Sequence, residues 1–336
     1  MRVLITGVTG FMGSHLAERL LAEGVAVRGL ARRPADAAFL ARQGAEIVPG
    51  DLAERAGLEE AVRDCQAVLH TAAWTGGPGL GERQAWTINV AATGWLLQAA
   101  QNAGVQRFVY FSSVAVYGLN AAPLIDESAP TPPVGQLYPD SKIAAETLVA
   151  AAQADGLPTT IIRPASTYGP RGTAWTTGPV EQIQAGRLVL LGEDRGLVNP
   201  GYIDNVVDGV LLALRSPAAV GETFNLCDGT AITYREFYGR YAAMLGRERL
   251  PVYPAWLARG AVSPPGRWLR RLLGRPAPGP WSYHFRFNPS RFSIAKAQRV
   301  LGYAPAVDLD EGMRRTEQWL RAREGLAAAD RFRQRR

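Results

Sequence analysis

At 336 residues, 47% apolar and 20% charged, the chain has enough material for a substantial core and for one large domain or two. Its two cysteines, Cys65 and Cys227, are too few and too far apart for a disulfide framework or a zinc site, and no metal is expected. The net charge of +7 rests almost wholly on arginine, Lys142 and Lys296 being the only lysines, and no basic–aromatic motif of a nucleic-acid-binding module accompanies it.

The chain opens on Val3 to Ile5, a short apolar run of the kind a buried parallel strand shows. Glycines follow at 7, 10 and 13, then the stripe Leu16, Leu20, Leu21 at helical spacing. A strand that turns through glycine into a helix aims unpaired backbone N–H groups and a positive dipole end at one point, where a pyrophosphate can sit. Gly7 suits the tight turn, Gly10 lets backbone approach phosphates, and Gly13 lets the helix pack close on the strand. The spacing G-x-x-G-x-x-G is one residue longer in its first gap than the dinucleotide fingerprint.

After Gly24, Val25 to Leu30 reads as the second strand, ending in Ala31-Arg32-Arg33-Pro34. An acidic side chain at this point accepts hydrogen bonds from the adenosine ribose, as NAD requires. Here there is none, and two guanidinium groups suit a ribose 2′-phosphate instead. The alternative is a pair of surface arginines in an arginine-rich chain. Glu46 to Leu52 reads as a third strand ending near Asp51, placed to meet the adenine edge, and Ala67 to Ala73 as a fourth. His70 at the end of this apolar run reads as structural rather than catalytic. A glycine-rich loop spans Trp74 to Gly81; Ile88 to Ala100 reads as a helix carrying Asn89, and Arg107 to Ser113 as the fifth strand. Alternating strands and helices argue a parallel sheet covered on both faces.

A proline-rich loop follows, through Pro123, Pro130, Pro132 and Pro133, stiff and long enough to cover a site. Tyr138-Pro-Asp-Ser-Lys142 then enters a helix from Ile143, with Tyr138 and Lys142 four apart and on one face. A tyrosine near pKa 10 is a poor proton donor or acceptor at neutral pH, and a nearby ammonium should stabilise its phenolate and lower that value. A serine hydroxyl opposite can hold the substrate oxygen.

These pieces together resemble the extended short-chain dehydrogenase/reductases, of the superfamily that contains NAD-dependent epimerases and dehydratases and the 3β-hydroxysteroid dehydrogenases. The matching stretches are Thr6 to Gly13, Gly50-Asp51-Leu52, His70 to Ala73, Asn89-Val90, Ser112-Ser113 and Tyr138 to Lys142. Arg163 to Pro170, Tyr202 to Val206 and Phe224 to Leu226 continue the match, which runs to about residue 305. The resemblance implies Ser113, Tyr138 and Lys142 as the catalytic set, with Lys142 also touching the nicotinamide ribose. The cofactor-contacting set it implies is Gly7, Thr9, Gly10, Phe11, Met12, Gly13, Asp51, Leu52, Thr71, Ala72, Ala73, Asn89, Ser112, Tyr138, Lys142, Pro164 and Ser166. Arg32 and Arg33 join it from the strand-end reading, and make NADP(H) the expected cofactor, with NAD(H) the other possibility. The sixth strand is then Thr159 to Arg163.

Beyond Gly169 the alternation breaks down. Val180 to Gly186 reads as a short helix, Leu188 to Leu191 as a strand, Ile203 to Leu214 as a helix returning to the first domain, and Glu222 to Leu226 as the seventh strand. Phe292 to Gly302 and Leu309 to Leu326 read as helices; Trp256 to Pro280 shows no period. The expected class is α/β, a Rossmann-type doubly wound parallel sheet of about seven strands with a smaller C-terminal α/β substrate domain. The cofactor domain covers 1–168 with 200–228 returning to it, the substrate domain 169–199 and 229–330, and a basic tail 331–336.

Three chemistries compete on such a scaffold. A sugar dehydratase needs an acidic pair after the active-site hydroxyl, where this chain has Val114 and Ala115. A nucleotide-sugar epimerase shows an arginine just before the Tyr-Ile-Asp segment to grip the diphosphate. Leu197 to Gly201 has none, although Arg171 and Arg195 are near in sequence. The balance favours hydride transfer between a carbonyl and a secondary alcohol, in the manner of the 3β-hydroxysteroid dehydrogenase and dihydroflavonol reductase branches. A nucleotide-sugar epimerase holding NAD is the alternative, and a catalytically silent NADP-binding scaffold the third. The aromatics Trp175, Tyr253, Trp256, Trp268, Trp281, Tyr283, Phe285 and Phe287 suit an apolar substrate pocket or plain core. A homodimer through the helices near Asn89 and Ser141 is expected. The start shows no charged-then-apolar leader and no stretch has the apolar length of a membrane span, so a cytoplasmic location is expected. Arg267, Arg270, Arg271 and Arg275 read as a solvated face, with contact to a membrane surface over 256–275 a minor alternative.

Overall fold

The computed structural model describes residues 1–76, 81–192, 196–254, 256, 263, 265–266, 268 and 287–333, with side chains up to 323. Part of the Trp74–Gly81 loop, Arg195, most of the 256–280 segment with its arginines, Trp281, Tyr283, Phe285 and the last tail residues therefore lie outside the described residues.

Seven parallel strands form the central sheet: β1 (Arg2–Thr6), β2 (Ala26–Ala31), β3 (Glu46–Pro49), β4 (Ala67–His70), β5 (Arg107–Phe111), β6 (Thr159–Pro164) and β7 (Thr223–Leu226). Their order is β7-β6-β5-β4-β1-β2-β3, so the chain reverses its direction of winding between β1 and β4. Alternate side chains take opposite faces of a strand. Val3, Ile5, Leu69, Val109 and Phe111 meet helices α1 (Phe11–Ala22) and α4 (Ile203–Arg215). Leu4, Val68, Phe108 and Tyr110 meet α2 (Ala92–Asn102) and α3 (Leu137–Ala154) on the other face. Both faces being covered explains why these strands read as continuous apolar runs.

The strands end where their apolar runs end, a residue or more short of the readings that carried them into Asp51, Ala73 and Ser113, because the chain turns there to form the edge of a crevice. The other departures have local causes. Helix α3 begins at Leu137, six residues before the expected start, because Pro139 lies in its first turn, where its missing N–H costs no hydrogen bond. Asp140 supports that turn from below, its carboxylate accepting from the N–H groups of Val134 at 2.8 Å and Gln136 at 2.9 Å. The helix expected from Ile88 enters through Glu82–Trp86 and a wide π turn, Thr87–Ala91. Of Leu188 to Leu191 only Leu190–Leu191 pairs, with Val252–Tyr253. The Phe292 end of an expected helix is instead a short strand, Arg291–Phe292, lying along Leu124–Ile125. The Phe292 N–H donates to Asn199 Oδ1 at 2.9 Å, and the helix proper is Ala295–Leu301. Leu309–Arg333 is a single helix that runs into the expected basic tail.

The Pro200–Tyr202 strand pairs with Ser166–Tyr168 outside the main sheet, and α4 then packs beside α1. Among the described residues no helix is long and apolar enough to cross a membrane.

Candidate active site

The β1 end supplies the cradle. Gly7 has φ +68°, a left-handed conformation, and a Cβ on it would lie 2.8 Å from Ala72 Cα at the end of β4. A Cβ on Gly13 would lie 2.3 Å from the Gly7 carbonyl oxygen and 2.9 Å from Thr71 Oγ1. Glycine is therefore required at position 7 by contact and by conformation, and at position 13, inside α1, by contact alone. Gly10 precedes the first residue of α1, and no side chain caps the helix there. An uncapped helix start behind a glycine turn offers backbone donors and a positive dipole end, the donor set a diphosphate needs.

The other expected cofactor residues line the same C-terminal edge of the sheet. Thr71, Ala72 and Ala73 follow β4, Ser112 follows β5, and Pro164 ends β6. Thr71 Oγ1 is committed to the Thr6 carbonyl at 2.7 Å. Ser112 Oγ is buried without a protein partner, as fits a hydroxyl facing a ligand. Asp51 caps the turn Leu52–Glu54, accepting from the Ala53 N–H at 2.9 Å through Oδ1, which leaves Oδ2 for other use. At the β2 end Arg33 holds Asp36, with Nε to Oδ2 at 2.9 Å, while Arg32 is exposed and pairs with no acid among the described residues. A dinucleotide fits this edge.

Ser113, Tyr138 and Lys142 come together at the end of β5. The Ser113 hydroxyl acts on the Tyr138 phenol, favouring its ionised form, and Ser113 Oγ accepts from the Ala115 N–H at 3.1 Å. Lys142, one helical turn past Tyr138 and buried, donates from Nζ to the Phe111 carbonyl at 2.6 Å and lies 4.8 Å above the centre of the Tyr110 ring. Burial pushes its ammonium down to about 7, against a smaller upward pull from Glu146. Burial also pushes the Tyr138 phenol above its ordinary value, with the Ser113 hydrogen bond acting the other way. The expected lowering of the phenol by Lys142 is thus not found in the protein alone. Desolvation dominates, and the Lys142 ammonium is turned to the Phe111 carbonyl.

Further side chains hold this cluster in place, Glu146 among them without having been singled out in the sequence. Asn89, expected at the cofactor, spends its amide within the protein: Oδ1 accepts from the Trp74 N–H at 2.7 Å, and Nδ2 donates to the Trp74 carbonyl and to Ser141 Oγ, both at 2.9 Å. Ser141 Oγ in turn donates to the Tyr138 carbonyl at 2.8 Å. One turn below Lys142, Glu146 takes a bidentate pair from Arg163, Nε to Oε1 at 2.9 Å and Nη2 to Oε2 at 2.6 Å. The only sequence signal for it is a carboxylate four residues past Lys142 on an alanine-rich inward face. Of the aromatics, Trp175 belongs to a core cluster with Tyr234 and Phe237, whereas Tyr253, Trp256 and Trp268 are exposed.

A diphosphate cradle at the strand crossover, with a Ser–Tyr–Lys cluster beside it, defines an NAD(P)-dependent enzyme of the extended short-chain dehydrogenase/reductase class. The chain belongs to the NAD dependent epimerase/dehydratase family, whose model matches residues 3–227. It is 32% identical over 322 residues to the 4-hydroxy-2-methyl-3-oxo-4-farnesyl-3,4-dihydroquinoline-1-oxide ketoreductase of Stigmatella aurantiaca, covering 93% of this chain and 95% of that one. It is also 32% identical over 328 residues to a 3 beta-hydroxysteroid dehydrogenase/Delta 5-->4-isomerase of Mycobacterium tuberculosis, covering 90% and 86% of the two. Among solved structures, MoeE5 in complex with UDP-glucose and NAD superposes with a TM-score of 0.75 at 26% identity, covering 96% of this chain and 99% of that one.

Proposed function

We propose that the protein is an NADP(H)-preferring oxidoreductase that interconverts a ketone and a secondary alcohol on a largely apolar, sterol- or polyketide-like substrate. The observation that carries this is the gathering of Ser113, just past β5, with Tyr138 and the buried Lys142 one turn apart on α3, Lys142 reaching the Phe111 carbonyl at the end of β5. A nicotinamide, when bound, supplies or accepts the hydride. Tyr138 donates its phenolic proton to the carbonyl oxygen as negative charge builds there, and recovers it in the reverse direction. Ser113 holds that oxygen by a preoriented hydrogen bond. Lys142 stabilises the phenolate left behind when its ammonium faces Tyr138 rather than the Phe111 carbonyl. The bulky prenylated and steroid compounds in the relatives' names support the apolar substrate class. Residues 169–199 and 229–330 are the proposed substrate side, and α2 with α3 the proposed homodimer face, for which light scattering should show twice the chain mass at micromolar concentration.

Epimerisation of a sugar nucleotide is the second reading, favoured by the resemblance to MoeE5 with UDP-glucose and NAD. Against it, Arg171 is clamped to Glu18, Nη1 to Oε1 at 2.8 Å and Nη2 to Oε2 at 2.5 Å, and is not free to grip a diphosphate. Asn199, in the stretch before Tyr202, is likewise spent on Ser290 and Phe292. The test is absorbance at the reduced-nicotinamide band with a panel of cyclic ketones and sugar nucleotides. Stoichiometric NADPH consumption with a ketone supports the first reading. An epimerised sugar nucleotide with no net cofactor change supports the second, and cofactor binding without any turnover leaves a silent scaffold.

A further inference from the structure

His70 is 1% exposed at the last position of β4 and is bonded through both ring nitrogens. Nδ1 meets Thr6 Oγ1 at 2.7 Å, and Nε2 meets Thr93 Oγ1 at 3.0 Å. The partners settle where the ring proton sits. Thr93 donates its single hydroxyl hydrogen to the Asn89 carbonyl at 2.8 Å, so towards His70 it can only accept. Nε2 therefore carries the hydrogen, and Nδ1 accepts from Thr6. The ring also packs against Tyr110, centroids 5.7 Å apart, whose other contact is the Lys142 ammonium. Lys142 and the Tyr110 phenol are the titratable groups facing it, and burial together with Lys142 pushes the imidazole down to about 3. An imidazolium here would put a second positive charge beside Lys142.

The bonds run in one direction. Thr6 donates to His70, His70 to Thr93, and Thr93 to the Asn89 carbonyl in the wide turn Thr87–Ala91. From the same residue the Asn89 amide donates to Ser141, and Ser141 to the Tyr138 carbonyl. A π turn leaves its backbone less tightly determined than an α turn, and such turns gather at functional sites. What fixes Asn89 is therefore this set of side-chain bonds, anchored in the sheet. We propose that His70 is a positioning residue for the Tyr138–Lys142 turn, its one ring proton on Nε2 tying the ends of β1 and β4 through Thr93 and Asn89 to the start of α3. The kinetic part of this rests on Tyr138 acting as the acid and base; the placement of the ring proton does not.

The chain has three histidines, so ring nitrogen-15 spectra of the full-length protein can be assigned by substitution. His70 should show the neutral Nε2–H tautomer unchanged between about pH 5 and 8. An Nδ1–H tautomer, or a titration in that range, overturns the proposal. In kinetics, His70→Phe keeps an aromatic ring without the two nitrogens, and Thr93→Val replaces the hydroxyl by a methyl of similar size. Each should lower kcat by roughly 10- to 10²-fold, leave the ketone KM within about twofold, and displace the Tyr138 limb of the pH profile. His70→Gln, whose amide can still donate to Thr93, should restore much of kcat and return the limb. Combining His70→Phe with Asn89→Ala should cost less than the sum of the two, since they break one chain. Unchanged kcat and pH limb in folded His70→Phe overturn the proposal, and Thr93→Val carries the same test if His70→Phe does not fold. Wild-type protein inert towards every ketone would remove the oxidoreductase reading while the nitrogen-15 spectrum still decides the role of His70.

Discussion

Two buried charged clusters lie one turn apart on α3, and they differ in whether their charges are balanced. In the lower one Arg163 holds Glu146 through two bonds and donates from Nη1 to the Tyr117 phenol at 2.9 Å, which donates to Asn225 at 2.7 Å. Hydrogen bonding and charge from Glu146 push Arg163 still further towards its protonated form. Burial likewise pushes the Tyr117 phenol upward, away from neutrality. In the upper one Lys142 has a carbonyl and an aromatic face but no carboxylate of its own, because Glu146 is already committed to Arg163. It is pushed down to about 7, and Tyr138 is pushed up. With similar burial on the same helix, the satisfied cluster is inert scaffold and the unsatisfied one can exchange protons at physiological pH. The lower cluster also serves the upper, since its carboxylate raises the affinity of Lys142 for its proton.

The largest expected effect removes the proton from the unsatisfied cluster. Tyr138→Phe should lower ketone turnover by about 10²–10⁴-fold, since one general acid is worth that much. Cofactor affinity measured by fluorescence should stay nearly unchanged, because the ring still packs. Full activity in this variant would defeat both the reductase and the epimerase readings.

The next effect unbalances the satisfied cluster. Glu146→Gln leaves the Arg163 guanidinium buried without its counter-charge, which typically costs about 3–5 kcal/mol. Urea unfolding should show that loss, and a change under about 1 kcal/mol would mean that the two clusters do not differ as described.

Lys142 sets the third. Its folded pKa, about 7, lies below its ordinary 10.5, so between these values the unfolded chain holds a proton that the folded chain lacks. Stability then rises with pH across that window, and below pH 7 the protein carries the full penalty of the buried ammonium. The shift is of the order of a few kcal/mol. Lys142→Met should remove this component, so the wild type should gain on the variant between about pH 7 and 9.5. Parallel stability curves for the two proteins over that interval would remove Lys142 as the source.

Legibility from sequence followed the range of the interactions. The seven strands were readable because each is a local apolar run, and the glycine turn because contact with Gly7 and Ala72 admits no other residue at 7 and 13. Tyr138 and Lys142 were readable because helix geometry alone brings residues four apart together. The helix expected from Ile143 begins at Leu137, and Pro139 in its first turn breaks nothing. His70 was visible, but its partners Thr6 and Thr93 lie 64 and 23 residues away, Thr6 brought to it by the parallel pairing of β1 with β4 and Thr93 by the packing of α2 on the sheet. The sign of the Tyr138 shift was not readable either, because desolvation depends on everything packed around the site rather than on the spacing of two residues.

The smallest effect concerns the β2 end, where the same contrast between committed and free charge recurs on the surface. Arg33 already holds Asp36, whereas Arg32 is exposed and has no acidic partner among the described residues. A 2′-phosphate would recruit Arg32 without breaking an existing pair, but would have to compete with a carboxylate for Arg33. Arg32→Ala should therefore weaken NADP(H) binding by about tenfold, the worth of one charge-assisted contact, and leave NAD(H) nearly unchanged. Arg33→Ala should cost less, and Asp36→Asn should strengthen NADP(H) binding by freeing Arg33 and removing a like charge. Because all these groups are exposed, the discrimination should shrink as salt is raised. Titrating both cofactors by intrinsic fluorescence at low and high salt would decide it. Equal affinity of the wild type for the two cofactors, or an Arg32→Ala variant that loses both alike, would show that Arg32 and Arg33 are ordinary surface arginines.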